Sequence, residues 1–247
     1  MIPKSFPSSY NPDSKPHKFC PGCGQALALK ILGFAIDELG IQEKTVFGVD
    51  IGCSLLAWDF FNIDTIQTHH GRCTPTMVGF KKARPDSVAL AFMGDGGGYA
   101  IGAQHLVNAC MRNDPVTIIL INNSLYAMTG GQMAPTTLSQ QKTETTPAGR
   151  QKKDFGLPLK GPEMLSAIAA ESAYIARGKV TNFEQLKIFF KKAIYNQMKL
   201  QAFSFVEVLA MCPVNWKMEA KESLDFLENQ MAKYFLVGEI KWPKIRL

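Results

Sequence analysis

The amino-acid sequence predicts an α/β protein with a doubly wound, mainly parallel sheet. Four short runs rich in β-branched and aromatic residues have the length and apolar character of strands covered on both faces, namely 46–51, 88–93, 116–121 and 203–209. Segments with apolar residues at helical spacing lie between these runs. Strands that alternate with helices in this way are typical of parallel sheets.

The predicted helices lie before, between and after the strands. We expect them over residues 25–39, 99–111, 183–198 and 219–231. The first stops at Gly40, and glycine readily adopts the left-handed conformation that ends many helices. With 247 residues, of which 46% are hydrophobic and 19% charged, the chain has enough apolar material for an α/β core.

We expect a single domain over residues 1–247, with three segments outside its core. These are an extended N-terminal arm (1–18), a long loop (129–162) and a C-terminal extension (219–247). The loop is rich in Thr, Gln, Gly, Pro and Lys, and a functional lid and a tolerated disordered insertion both fit that composition. The extension ends in a short apolar tail, which with the preceding helix is a candidate partner surface.

The charge pattern argues against several classes of protein. The 27 Lys and Arg residues outnumber the 21 Asp and Glu residues, but they are scattered along the chain, so we expect no nucleic-acid partner. No run approaches the roughly 20 apolar residues that span a bilayer, and the polar, proline-rich N-terminus does not resemble a secretory signal. We therefore expect a cytoplasmic protein without membrane contact, in which metal or redox roles for cysteines are favoured over disulfides.

The chemically reactive residues follow the predicted strands. The segments concerned are Gly52-Cys53-Ser54, Gly94-Asp95-Gly96-Gly97-Gly98, Asn122-Asn123-Ser124 and Ala210-Met211-Cys212-Pro213. Ligands of open α/β sheets bind at the carboxyl ends of the strands. If the four strands are parallel, these segments meet at one edge of the sheet.

The glycine run at 94–98 predicts a phosphate site, because glycines let the backbone approach a phosphate closely. It matches neither the dinucleotide fingerprint nor the P-loop pattern. The Asp95 carboxylate would repel a phosphate unless a divalent cation lay between them, and Asn123 supplies a second hard oxygen ligand for Mg²⁺. A tight turn is the alternative for Gly-Asp-Gly alone, but the combination with Asn122-Asn123 favours a cofactor site.

The spacing of these segments is that of a known motif. Gly94-Asp95-Gly96 followed by 25 residues and Asn122-Asn123 resembles the thiamine diphosphate motif. Further segments over residues 17–217 resemble those of the β subunits of 2-oxoacid:ferredoxin oxidoreductases, closest to the 2-oxoisovalerate and 2-oxoglutarate types. They are Cys20-Pro21-Gly22-Cys23-Gly24, Gly52-Cys53-Ser54, His70-Gly71-Arg72, Tyr126-Ala127-Met128-Thr129-Gly130-Gly131-Gln132 and Cys212-Pro213-Val214-Asn215-Trp216.

The resemblance implies a sheet of the thiamine-diphosphate-binding type and a set of site residues. Asp95, the Asn123 side chain and the main-chain carbonyl of Leu125 would bind Mg²⁺. The implied cofactor-binding set also includes Gly52, Cys53, Ser54, His70, Arg72, Gly94, Gly96, Gly97 and Thr129.

The resemblance also implies that Cys20, Cys23, Cys53 and Cys212 hold a [4Fe–4S] cluster. From their spacing alone, a structural zinc site with four cysteines is equally consistent. We expect Cys73 and Cys110 to be non-ligating.

The implied activity is oxidative decarboxylation of a 2-oxoacid to acyl-coenzyme A and CO₂, with electrons passing to ferredoxin. The activating glutamate would come from a pyrimidine-domain (α) subunit, with further γ and ferredoxin-like subunits, so the chain is expected to be inactive alone. Glu144 in loop 129–162 is the one nearby candidate for this acid, and a mobile loop would hold it too loosely for that role. Pyruvate enzymes of the family have Asn just before the Thr-Gly segment, and this chain has Met128 there. The resemblance therefore does not identify which 2-oxoacid is the substrate.

Two alternatives remain from the residues. A thiamine-dependent non-oxidative decarboxylase or synthase would share the Mg²⁺ motif but would not need the four cysteines. A zinc-stabilised cofactor-binding module would use the cysteines structurally and transfer no electrons.

Overall fold

The computed structural model describes residues 6–243, and it confirms the α/β class with a mainly parallel sheet. The strands of this part of the chain are β1 (Thr45–Val49), β2 (Asp64–Gln67), β3 (Val88–Gly94), β4 (Thr117–Asn122), β5 (Leu125–Tyr126), β6 (Gln132–Met133), β7 (Tyr174–Lys179), β8 (Ser204–Leu209) and β9 (Gly238–Lys241). Its α-helices are α1 (Gly24–Leu39), α2 (Cys73–Ala83), α3 (Ala103–Met111), α4 (Lys152–Phe155), α5 (Gly161–Ser166), α6 (Phe183–Leu200), α7 (Pro213–Trp216), α8 (Ala220–Phe226) and α9 (Ala232–Tyr234).

The large sheet has the strand order β2-β1-β3-β4-β8-β7-β9. Neighbouring strands are parallel from β2 to β7, and only β9 runs antiparallel, against β7. The strands β5 and β6 form a separate small hairpin. The order of β1, β3, β4 and β8 makes them four consecutive neighbours, which determines where the site lies.

Apolar layers cover both faces of the sheet. One layer joins α1 and α6 to strand residues such as Phe47, Phe92 and Val206. The other joins α2, α3 and α5 to Val46, Ala91 and related residues of the opposite face. Because side chains alternate between faces along a strand, each central strand contributes to both layers and is apolar throughout.

The prediction of four strands was incomplete, because three further strands join the sheet. The edge strand β2 is short and largely polar, β7 contains the charged residue Arg177, and β9 lies within the predicted apolar tail. The strand predicted over 46–51 ends at Val49. The helix predicted over 99–111 begins earlier, with a π-helical turn at Gly97–Ile101 that leads into α3.

The loop at 129–162 is folded around one buried side chain. The guanidinium group of Arg150, 4% exposed, donates hydrogen bonds to five main-chain carbonyls, those of Ala134, Pro135, Thr137, Phe155 and Leu157. The two terminal nitrogens of this planar group make all five contacts and so join carbonyls that are close in space but far apart in the chain. The loop is therefore an organised part of the fold rather than a structureless insertion.

The arm and the extension pack onto the core where they are described. The Ser9 N–H donates to Asp37 Oδ1 of α1 at 3.0 Å, and the Asn11 N–H donates to the Phe60 carbonyl at 3.0 Å. The extension contributes β9 to the sheet edge. The predicted arm and extension also include residues 1–5 and 244–247, which lie outside the described residues. Within residues 6–243, no helix is both long and apolar enough to cross a bilayer.

Candidate functional site

The four reactive segments meet at one edge of the sheet, as the sequence predicts. They follow β1, β3, β4 and β8, which are adjacent and parallel, so that their carboxyl ends lie side by side. Two adjoining cavities open at this edge. We call them the glycine-rich cavity and the thiol cavity.

The glycine-rich cavity has a volume of about 120 Å³. All but one of the predicted cofactor-binding residues line it: Gly52, Cys53, Ser54, His70, Gly94, Asp95, Gly96, Gly97, Asn123, Leu125 and Thr129. The structure does not bring Arg72 to this cavity. Arg72 lines a neighbouring cavity that shares Ile51 with it.

Asp95 is the buried acid of the glycine-rich cavity, with 2% of its surface exposed. It follows β3, and its carboxylate accepts hydrogen bonds from the Gly96 N–H at 2.9 Å and from the Thr136 hydroxyl. Burial nevertheless raises the pKa of the Asp95 carboxyl to about 7. A divalent cation at this carboxylate would offset the cost of burying its charge, so the residue fits the proposed metal.

Asn123 is held by the turn that follows β4. The Asn122 side chain accepts a hydrogen bond from the Ser124 N–H at 3.1 Å, and Ser124 adopts a left-handed backbone conformation with φ of 59°. The Trp216 indole N–H donates to the Asn123 carbonyl at 2.9 Å. The segment after β8 therefore holds the segment after β4 in place.

Close packing explains two of the glycines. A Cβ atom at Gly96 would lie 2.0 Å from the Tyr126 ring, and one at Gly97 would lie 2.0 Å from Asp50 Oδ2. Either contact is far shorter than van der Waals distance, so only glycine fits. Both glycines line the glycine-rich cavity.

The thiol cavity has a volume of about 150 Å³, and the predicted ligands Cys20, Cys23, Cys53 and Cys212 all line it. It shares a set of lining residues with the glycine-rich cavity, namely Gln25, Cys53, Asn123, Ala127 and Met128. The other two cysteines, Cys73 and Cys110, are fully buried and line neither cavity.

Burial favours the protonated form of three thiols of this cavity, those of Cys23, Cys53 and Cys212. It raises the pKa of Cys53 to about 12 and that of Cys23 to about 11, and it also raises the pKa of Cys212. The Asn215 side chain donates to Cys212 Sγ at 3.6 Å. Metal ligation takes cysteine as the thiolate and releases the proton. Within residues 6–243, no three His, Cys, Asp or Glu side chains converge closely enough to hold a single metal ion.

Two buried polar residues of this region were not predicted. Gln25, 3% exposed, lines both cavities, and its Oε1 atom has no hydrogen-bond partner among residues 6–243. Asp50 is fully buried beside Gly97, and neither carboxylate oxygen has a partner in the same part of the chain. Burial raises the pKa of Asp50, and the main-chain N–H groups of Gly71 and Arg72 offset part of this rise from nearby, without the geometry of a hydrogen bond. The sequence feature that could have identified Asp50 is its charge, since it lies within the predicted apolar strand 46–51.

The mouth of the glycine-rich cavity is apolar. Ile101 and Met128 line it and are 53% and 47% exposed. Among the residues that the structure describes, Asp95 is the only carboxylate that lines this cavity. Glu144 does not reach it and instead pairs with Lys217 at 2.7 Å on the surface.

The comparisons with known proteins agree on one family. Residues 50–208 match the family model for the thiamine pyrophosphate (thiamine diphosphate) enzyme, C-terminal TPP binding domain. The chain is 36% identical over 226 residues to ketoisovalerate oxidoreductase subunit VorA of Methanothermobacter thermautotrophicus. That match covers 90% of this chain and 47% of the relative, so the chain spans about half the length of this relative.

Other relatives are closer in length. The chain is 36% identical to 2-oxoglutarate synthase subunit KorB of Archaeoglobus fulgidus, with 88% of this chain and 78% of that one covered. It is 33% identical to the 2-oxoacid:ferredoxin oxidoreductase subunit beta of Saccharolobus solfataricus, with 84% and 66% covered.

A solved structure of 2-oxoglutarate:ferredoxin oxidoreductase from Magnetococcus marinus, with 2-oxoglutarate, coenzyme A and succinyl-CoA bound, has the same fold. The TM-score is 0.79 at 23% identity, and the match covers 100% of this chain and 88% of that one. The matching family model and the relatives of similar length lead to one conclusion: the chain belongs to the 2-oxoacid:ferredoxin oxidoreductase family, among the subunits that carry the thiamine pyrophosphate-binding domain.

Proposed function

We propose that this chain is the β subunit of an oxidoreductase that converts a 2-oxoacid and coenzyme A to acyl-coenzyme A and CO₂ and passes the electrons to ferredoxin. The observation that carries this proposal is the shared wall between the two cavities. Cys53, Asn123 and Met128 line both of them. A group bound in the glycine-rich cavity would therefore lie directly beside a group bound by the thiols.

The glycine-rich cavity would hold thiamine diphosphate with Mg²⁺. The Asp95 carboxylate, the Asn123 side chain and the Leu125 carbonyl would bind the cation, and the turn at Gly96 and Gly97 would face the diphosphate. Mg²⁺ commonly takes one or two carboxylates or amides from protein and the rest of its ligands from phosphate and water. When bound, thiamine diphosphate supplies the decarboxylation chemistry, and the chain's residues orient it.

The thiol cavity would hold a [4Fe–4S] cluster through Cys20, Cys23, Cys53 and Cys212. These thiols come from three separate segments, and each cluster iron takes one thiolate. The Asn215 N–H that donates to Cys212 Sγ at 3.6 Å would then donate to a ligating thiolate, an interaction that tunes cluster potentials.

The overall reaction balances as a two-electron oxidation. The 2-oxoacid anion and coenzyme A thiol give acyl-coenzyme A, CO₂, one proton and two electrons. The C–COO⁻ bond breaks, the acyl–sulfur bond forms, and two ferredoxin molecules each accept one electron. The adjoining cavities suit this route, because the electrons leave the site across the wall formed by Cys53 and Met128.

The active site would be completed by a second, pyrimidine-domain (α) subunit. Thiamine needs a carboxylate at its aminopyrimidine ring, and Asp95, which is proposed to bind the metal, is the only carboxylate lining the glycine-rich cavity within the described residues. The exposed side chains of Ile101 and Met128 at its mouth would be covered by that subunit. Further γ and ferredoxin-like subunits would complete the assembly.

We propose a 2-oxoacid with an apolar side chain as the substrate. Ile101, Ala127 and Met128 are apolar and line the glycine-rich cavity, and no lysine or arginine among the described residues lines it. A distal carboxylate, as in 2-oxoglutarate, would find no lysine or arginine partner among the described residues that line this cavity. The partner subunit would have to supply one.

The test is metal and cofactor analysis of anaerobically purified chain. We expect about four iron and four sulfide per chain with an iron–sulfur visible spectrum. Cys53→Ser should lower the iron content, whereas Cys110→Ala, which changes a buried cysteine outside the thiol cavity, should retain it. Stoichiometric zinc without iron would favour the zinc-stabilised module. Thiamine diphosphate binding with neither metal would favour a non-oxidative thiamine enzyme.

The second measurement concerns activity. The chain alone, supplied with thiamine diphosphate, Mg²⁺, coenzyme A and an artificial electron acceptor, should not oxidise 2-oxoacids, and addition of the partner subunit should start turnover. Robust turnover by the chain alone would contradict the proposed interface site.

A further inference from the structure

Glu207 is a buried carboxylate in the middle of a central strand. It lies in β8, paired in register with Leu120 of β4 and Arg177 of β7, and it is 0% exposed. Charged side chains are almost never this buried unless they are paired and hydrogen-bonded. The hydrogen-bond partners of Glu207 therefore indicate the role of its carboxylate in the fold.

Each oxygen of this carboxylate has a partner. Oε1 accepts hydrogen bonds from the Tyr99 hydroxyl at 2.9 Å and from the Asn122 side chain at 3.2 Å. Oε2 accepts from Nε of Arg177, which is also 0% exposed. The rest of the Arg177 guanidinium donates to both carboxylate oxygens of Glu163, at 2.8 and 2.7 Å. The charge of Glu207 is thus matched within the chain.

Tyr99 and Asn122 connect this network to the segments that contain Asp95 and Asn123. Tyr99 lies in the turn Gly97–Ile101, four residues after Asp95, and Asn122 directly precedes Asn123. Asn122 also accepts from the Ser124 N–H, so it shapes the turn that presents Asn123. One carboxylate therefore holds the segment after β3 and the segment after β4 at a defined separation.

We infer that Glu207 is a positioning residue that sets the distance between Asp95 and Asn123 for a divalent cation. The inference rests on the proposed function, because it takes these two residues as Mg²⁺ ligands. Mg²⁺ demands nearly ideal octahedral geometry, whereas Ca²⁺ accepts longer and irregular coordination. Loss of the Glu207 contacts should therefore weaken Mg²⁺ binding more than Ca²⁺ binding.

The test uses this chain assembled with its partner subunit and titrates Mg²⁺ or Ca²⁺ by calorimetry at a fixed, saturating concentration of thiamine diphosphate. We expect Glu207→Gln to raise the Kd for Mg²⁺ at least tenfold, as loss of a group that orients metal ligands commonly does. The fold-increase in the Kd for Ca²⁺ should be less than half of the fold-increase for Mg²⁺. General destabilisation of the fold would not change the ratio of the two affinities.

The matched control is Glu239→Gln. Glu239 of β9, at the far edge of the same sheet, accepts from the Tyr174 hydroxyl at 2.9 Å and from Lys192, so the variant neutralises a carboxylate that also has a tyrosine and a cationic partner but lies away from the site. Its Mg²⁺ affinity should stay within about twofold of the wild type. Unchanged Mg²⁺ affinity in folded Glu207→Gln would overturn the inference.

If Glu207→Gln does not fold, Tyr99→Phe tests the inference instead, because this variant removes only one hydroxyl of the network and keeps the aromatic ring. We expect a Kd for Mg²⁺ raised about threefold, with a smaller rise for Ca²⁺, from the loss of one hydrogen bond to a charged group. Equal affinities for wild type and Tyr99→Phe would overturn the inference in that case. If the wild type itself bound no Mg²⁺ with thiamine diphosphate, the proposed function would fail first.

Discussion

Two regions of this molecule bury carboxylates, and they do so in opposite ways. At the carboxyl ends of β1 and β3, Asp50 has no hydrogen-bond partner among residues 6–243 and Asp95 has a raised pKa despite two donors. Beneath them, Glu207 is bonded to three side chains, including Arg177. Both regions are equally buried, so burial alone does not distinguish a binding site from a structural network.

The chain satisfies the polar groups of one region with its own side chains and leaves those of the other region for a bound ligand. Burying an unpaired polar group costs free energy, so proteins rarely retain one without a reason. The Glu207 network is complete within the chain and belongs to the scaffold. The rim of the glycine-rich cavity is incomplete, because Gln25 Oε1, which lines it, and the Asp50 carboxylate beside Gly97 have no hydrogen-bond partner among residues 6–243, as the proposed metal and cofactor would require.

The largest expected effect comes from breaking the satisfied network. Arg177→Met leaves the Glu207 carboxylate buried without its cation, and we expect the free energy of unfolding to fall by about 3–5 kcal/mol. Urea denaturation of the full-length chain measures it. As a control, Lys217→Met removes the exposed partner of Glu144 and should change stability by less than about 1 kcal/mol. Equal losses in the two variants would contradict the contrast between buried and exposed pairs.

The next effect concerns the incomplete rim. Asp95→Ala removes a proposed Mg²⁺ ligand, so we expect affinity for thiamine diphosphate to fall by more than about 100-fold, which corresponds to about 3 kcal/mol. Calorimetry on the assembled complex measures the affinity, and the iron content should be unchanged. Asp154→Ala, which alters an exposed acid of α4, is the control and should bind normally. Wild-type affinity in Asp95→Ala would show that the glycine-rich cavity is not the diphosphate site.

The smallest effect is that of the unpaired acid. Because burial raises the pKa of Asp50, the folded state holds its proton more tightly than the unfolded state does. The group therefore favours folding below the unfolded pKa of about 3.9, and this contribution is lost as the pH rises through the folded pKa. Asp50→Asn has no carboxyl group to ionise, so its stability should not fall in this way as the pH rises.

We expect apo Asp50→Asn to be about 1 kcal/mol more stable than the wild type at pH 8, with the difference shrinking as the pH falls toward 4. Thermal unfolding of both chains at a series of pH values measures this. A variant that is less stable than the wild type at pH 8 would mean that the Asp50 carboxylate has partners within the fold.

Much of the site was predictable because it depends on local sequence. Apolar runs marked β1, β3, β4 and β8, and glycines, an aspartate, asparagines and cysteines followed them. Once those strands are parallel neighbours, their carboxyl ends must meet. The convergence of Asp95, Asn123, Cys53 and Cys212 thus follows from sequence pattern and the geometry of a parallel sheet.

Other features depended on contacts between distant parts of the chain. Arg177 interrupts the apolar pattern of β7, and its pairing with Glu207, 30 residues away, and with Glu163 explains why a charged residue lies in a buried strand. Tyr99 meets the same carboxylate across 108 residues.

By itself, the sequence determined the type of fold, the order of the reactive segments and the residues that follow each strand, because these depend on local propensity and side-chain chemistry. The tertiary structure decided which polar groups are satisfied. Asp50 and Glu207 are both buried carboxylates, and they differ in the partners that surround them once the chain has folded. Hydrogen bonding and burial are set by neighbours in space, and the order of residues along the chain does not specify those neighbours.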